Sequence, residues 1–150
     1  MEIKLSSVLG LDLEENFLDF DLEEIQTILS ELKNDIPIDI AHIESMQQKT
    51  LRAADVCGEF LGKLQKTTSY LESKLNSLKN RVAMEYTSDG GKVTMDMRKF
   101  AAESNPDVET IQIALAKAKG SKTLLEKKYE IVIKQHHFLK EMAAGMRKTI

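Results

Sequence analysis

Apolar residues recur in steps of three and four along two stretches of this 150-residue chain. The first runs Ala54, Cys57, Leu61, Leu64, Thr68, Leu71, Leu75, Leu78, Val82. The second runs Val108, Ile111, Leu115, Ala118, Lys122, Leu125, Tyr129, Val132, His136, Leu139, Ala143, Met146. That spacing keeps one face of an α-helix apolar over many turns and is the signature of helix packed on helix. Helices of such length run for about 60 Å at 1.5 Å per residue. The break between them, Thr87 to Lys92 around Asp89-Gly90-Gly91, is short, which favours an antiparallel hairpin. The fold class expected is therefore all-α: a long antiparallel helical hairpin with a short N-terminal helix, assembling into a ring-like oligomer.

Local signals set the boundaries. Asp21 is the expected cap of a first amphipathic helix over 22–33, with Glu24 three residues on as in a capping box and Leu22, Ile25, Ile28, Leu29 and Leu32 on one face. Pro37 ends that region, and Asp39 is the expected cap of a helix reaching about Tyr86. Thr94 to Ser104 reads as a short helix with Met95, Phe100 and Ala101 as its apolar contacts. Asn105-Pro106 opens the last helix, where proline's missing N–H does no harm. Gly58 and Gly62 lie inside the second helix and mark either a close helix contact or a flexible point. Residues 1–20 mix acidic and apolar side chains around Gly10 and read as a weakly ordered acidic arm, so the division expected is an arm over 1–20 and a helical domain over 21–150.

Composition removes several functions. Residues 1–48 carry twelve acidic and two basic residues, a net of −10, and residues 49–150 carry twelve acidic and nineteen basic, a net of +7, so the overall −3 conceals a basic body. The single cysteine, Cys57, excludes an internal disulfide. No apolar run approaches the roughly 20 residues that cross a bilayer, and the first ten residues lack the long apolar core of a cleavable signal. His42, His136 and His137 form no metal motif; His136, in the seam, reads as a packing histidine. Without a nucleophile or acid–base set the chain reads as no enzyme, with no metal and no cofactor.

The basic residues are the informative ones. With the seam at positions a and d, Lys74 and Arg81 fall at g and Lys79 at e, flanking the seam near the hairpin end. Two readings fit them: a solvated face whose stems cover apolar surface, or a track for phosphates, which needs repeated point charges. Tyr86 is the only aromatic residue near Lys79 and Arg81 in sequence, so strong base stacking is not expected. The stripe of Leu125, Tyr129, Val132, Phe138 and Leu139 is wider than one partner helix covers and is the expected oligomer interface. The alternative is that helix 22–33 folds back and closes a monomeric three-helix bundle.

Order and spacing together carry a family resemblance. Leu22-Glu23-Glu24-Ile25-Gln26 precedes Asn34-Asp35 and Ile38-Asp39. Leu78-Lys79-Asn80-Arg81 leads into Tyr86-Thr87-Ser88-Asp89-Gly90. Met95-Asp96-Met97-Arg98-Lys99-Phe100 is followed by Pro106-Asp107-Val108, and Ile133-Lys134-Gln135 lies in the last helix. Over about residues 21–142 the chain resembles the phage recombination mediator proteins of the UvsY type. The resemblance implies a protein of the infected bacterial host's cytoplasm that binds single-stranded DNA as a ring-like homo-oligomer. Such a mediator helps load a RecA-like recombinase onto DNA covered by single-strand-binding protein. It also implies that Lys79 and Arg81, at the Leu-Lys-x-Arg positions, contact the strand. Lys74, Lys66, Lys92 and Arg98 complete the candidate nucleic-acid-binding set. The stretch 1–20 extends beyond the family pattern, which bears on autoregulation, and the ending Ala143-Ala144-Gly145-Met146-Arg147 departs from it, which bears on oligomer contacts. A coiled-coil structural or adaptor protein without nucleic-acid binding is the alternative.

Overall fold

The computed structural model describes residues 23–88 and 90–149. Four helices follow in order: α1 (Glu23–Asn34), α2 (Ile40–Glu85), α3 (Met95–Glu103) and α4 (Pro106–Lys148). Among the described residues there is no strand, so the chain is all-α as expected. The acidic arm and the cap at Asp21 lie outside the described residues.

The helix starts follow from side chains that satisfy first-turn N–H groups. Asp39 accepts from the His42 N–H at 2.7 Å. Thr94 accepts from the Met97 N–H at 3.3 Å. Asn105 accepts from the N–H groups of Asp107 and Val108 at 2.9 and 3.3 Å, with Pro106 at the first helical position. At the other end of α2 the chain turns through Gly90, whose φ of 82° is the left-handed conformation that glycine adopts without strain. The Ser88 hydroxyl donates to the Gly91 carbonyl at 2.8 Å across the same turn.

The described chain forms two compact units, Leu64–Ser121 and a second that joins residues 23–63 to residues 122–149. In the second, Glu44 pairs with Arg147 and Thr50 with His136, so α2 and α4 run antiparallel there. Ile43, Met46, Ala53, Cys57, Leu125, Val132, Leu139 and Ala143 are buried in it. The short α1 closes this unit: Leu32 packs with Ile43, Met46, Leu139 and Ala143, and Ile28 adds to the same cluster. Ile25 on the same face is fully buried. At the rim Arg52 meets Glu24 at 3.1 Å and Lys49 meets Glu31 at 3.0 Å. The folded-back arrangement held above as the alternative is thus the one that α1 adopts in this unit, and it covers apolar surface that the ring reading assigns to neighbouring subunits.

In the unit Leu64–Ser121, Leu64, Leu71, Leu75, Val108, Ile111, Ala114, Leu115 and Ala118 are buried, and Glu72 pairs with Lys119 at 3.1 Å. The inner residue of α3 is Ala102, buried at 5% exposure. Met95 and Phe100, expected as apolar contacts, are each 73% exposed; a nine-residue helix with one small buried side chain turns its larger ones to solvent.

The buried row of α2 begins earlier than the sequence spacing suggests. Ile43, Met46, Thr50, Ala53 and Cys57 form a regular three–four series, with Ala53 fully buried and Ala54 half-buried. It joins the series Leu61, Leu64, Thr68, Leu71 through two successive steps of four at Cys57. Such an insertion locally unwinds helix-on-helix packing.

Candidate nucleic-acid interface

Five of the six candidate residues lie on or just beyond the C-terminal half of α2, and all six belong to the unit Leu64–Ser121. Lys66, Lys74 and Arg81 are exposed. At about 100° per residue they fall within about 80° of one another around the helix and span about 22 Å along it. Among the described residues none of the three makes an ion pair. Tyr70 stands in the same row, and the Lys74 ammonium sits 5.6 Å from its ring centroid, a cation–π contact. Tyr70, not Tyr86, is therefore the aromatic residue of this surface. Its spacing from Lys66 and Lys74, four residues either way, was the available signal. The Tyr70 hydroxyl is buried without a hydrogen-bond partner among the described residues, so the phenol oxygen does not serve the exposed face.

Lys79 is separate. It is half-buried and lies about 200° around the helix from Arg81, so the two do not form one patch. Lys92 is exposed in the connection between α2 and α3.

Arg98 has a structural role. Its Nη1 donates to the carbonyl oxygens of Ala83 at 2.6 Å and Met84 at 3.2 Å. The last carbonyls of a helix lack intrahelical partners, and a cation there also meets the negative end of the helix dipole. Arg98 thus caps α2 from α3 and fixes where the basic helix stops.

The five residues expected at an oligomer interface do not form one surface. Leu125, Val132 and Leu139 are 1%, 0% and 4% exposed within the chain itself. They already fill the core between α2 and α4. Tyr129 and Phe138 are 37% and 62% exposed, but nine residues place them about 180° apart around α4.

His136 is bound as a packing histidine would be, with Nδ1 2.9 Å from the Thr50 hydroxyl. That hydroxyl donates its one proton to the Gln47 carbonyl at 2.7 Å, so the imidazole N–H donates to the hydroxyl oxygen. Cys57 is buried; burial pushes its thiol pKa up, with the charge of Lys128 pulling the other way. Among the described residues no group of three His, Cys, Asp or Glu side chains is placed to hold a metal ion, and no helix is long and apolar enough to cross a membrane. No protein-family model, no curated protein and no solved structure matches the chain.

Proposed function

We propose that this chain is a single-stranded-DNA-binding recombination mediator that works as a ring-like homo-oligomer and helps load a RecA-like recombinase onto DNA covered by single-strand-binding protein. The observation that carries the DNA-binding part is the row of exposed cations Lys66, Lys74 and Arg81, with the half-buried Tyr70 among them. Its three cations make no ion pair among the described residues, and the Lys74 ammonium lies 5.6 Å from the centroid of the Tyr70 ring. Point charges repeated along a helix engage a phosphate backbone without reading sequence. The recombinase and the single-strand-binding protein enter through the resemblance to UvsY-type mediators. The host cytoplasm as its place of action rests on the same ground.

Assembly then uses apolar surface that the chain leaves open rather than Leu125, Val132 and Leu139. Met84, Met95 and Phe100 offer it in one unit and Tyr129 in the other.

The test is a salt titration of binding to labelled single strands of several sequences. The triple variant Lys66→Ala, Lys74→Ala, Arg81→Ala should bind all of them more weakly. Its log–log salt slope should be shallower by about 0.7 for each phosphate that the variant no longer neutralises. Unmodified protein that fails to bind at low salt would leave the structural or adaptor reading in its place.

A further inference from the structure

A second apolar row runs along the outside of α4. Leu124, Ile131 and Phe138 are spaced seven apart and are 48%, 46% and 62% exposed. They share a face of the helix about 100° from the buried row through Leu125, Val132 and Leu139. About half or more of each side chain stays open among the described residues. Exposed lysines interleave them: Lys127 between the first pair and Lys134 between the second. Neither makes an ion pair among the described residues. The face therefore alternates apolar and cationic along about 20 Å of helix.

A second copy of the same face fits poorly, because its lysines would meet these lysines. The complementary pattern is found in the chain itself. Residues 1–22 hold six acidic residues against one basic, and apolar and acidic residues alternate in Leu11-Asp12-Leu13-Glu14 and Leu18-Asp19-Phe20-Asp21. The segment is also tethered close by. It joins α1 at Glu23, next to Glu24, which pairs with Arg52 at 3.1 Å. Arg52 lies two residues from Thr50, the partner of His136 on α4. The join is thus level with the Ile131–Phe138 part of the row, and 22 residues reach up to about 70 Å when extended.

We infer that the N-terminal segment 1–22, the acidic arm with the two residues that follow it, docks on its own α4 over Leu124, Ile131 and Phe138, with its carboxylates on Lys127 and Lys134. Apolar burial supplies attraction without direction, and the alternating charges set the alignment. The arm then keeps an apolar helix face from indiscriminate association. This surface is on the other unit from the Lys66–Arg81 row, so the inference stands whether or not that row binds DNA.

Zero-length carbodiimide coupling of the full chain tests it, with peptides identified by mass spectrometry on an equal mixture of isotopically light and heavy protein. Links should join carboxylates of Asp12 to Asp21 to Lys127 and Lys134, and should be isotopically unmixed. Ile131→Ser with Phe138→Ser should lower their yield severalfold although both lysines remain. Leu13→Ser with Phe17→Ser should do the same and changes no residue of α4. Several outcomes overturn the inference: no arm links, arm links that favour Lys66 and Lys74, or isotopically mixed links. Links from Lys127 and Lys134 to Glu126, Glu130 or Glu141 of another copy would instead assign the row to self-association.

Discussion

Arg98 and Arg81 are both arginines near the end of α2, and their surroundings give them opposite work. Arg98 is half-buried and its guanidinium is spent on two backbone carbonyls. Arg81 is exposed and unpaired among the described residues. Charged hydrogen bonds of this kind contribute about 1.5–3 kcal/mol, so Arg98→Ala should lower stability by about 2 kcal/mol in urea unfolding while leaving the salt slope of strand binding unchanged. A variant of full stability and weakened binding would return Arg98 to the DNA-contacting set. Cys57 gives a second expectation. Burial raises its folded thiol pKa, so the folded state holds that proton more tightly than the unfolded chain. The resulting stability is whole below the ordinary thiol pKa and is lost as pH rises through the folded value. Unfolding free energy should thus fall across the alkaline range, and Cys57→Ala should flatten part of that fall. The thiol should also resist alkylation at neutral pH until denaturant is added.

At the scale of elements, helix starts were legible because capping is local. Asp39, Thr94 and Asn105 each reach an N–H two or three residues on, within a short window of sequence. The cap on the far end of α2 was not, because its donor, Arg98, is fourteen or fifteen residues from the carbonyls it meets. The docking of α1 was legible only as an alternative: an amphipathic helix announces that it needs a partner, not which one. The glycines of α2 are settled by space. A Cβ built at Gly58 or Gly62 meets nothing within 4 Å, so neither serves a close helix approach among the described residues of one chain. Each then costs helix stability with no packing in return, and Gly58→Ala and Gly62→Ala should each raise stability by up to about 1 kcal/mol. Loss of strand binding in these more stable variants would show that the glycines serve bending of α2 instead.

For the molecule as a whole, periodicity alone does not separate seam residues that hold one chain together from residues that would hold copies together. Leu125, Val132 and Leu139 obey the same spacing whether their partner is α2 or a neighbouring subunit. Only their burial, at 4% or less, assigns them to the protomer. Leu139→Asp should therefore cost several kcal/mol by burying a carboxylate beside Ile43 and Met46, with helix content lost by circular dichroism. Tyr129→Asp, at an exposed position, should leave helix content intact and lower the mass seen by sedimentation if that side of α4 meets a neighbour. An unfolded Tyr129→Asp, or a folded Leu139→Asp of reduced mass, would reverse the assignment. The candidate DNA surface was partly legible, since Lys66, Lys74 and Arg81 are exposed on one side of α2. Tyr70 joins it through helical spacing alone, which the adjacent-looking pair Lys79 and Arg81 obscures in the linear sequence.

The bond between Thr50 and His136 joins residues 86 apart in the chain. Rows of similar apolar side chains can pair nearly as well when one helix slides past the other by two turns, and a searching chain has little to tell the alignments apart. In such a slip Thr50 would face the region of Ala143 or Tyr129, and the imidazole of His136 would lose its oxygen. A polar group left buried and unmet costs about 1–3 kcal/mol; His136 is half-buried, so a misaligned chain carries part of that penalty and the native one does not. The pair thereby acts as a proofreader during collapse, turning a nearly degenerate search into one with a preferred answer. Thr50→Val should cost little in final helix content, yet split refolding into a fast phase and a slower one in which trapped chains realign. A single refolding phase in that variant would mean that the apolar rows choose their alignment unaided.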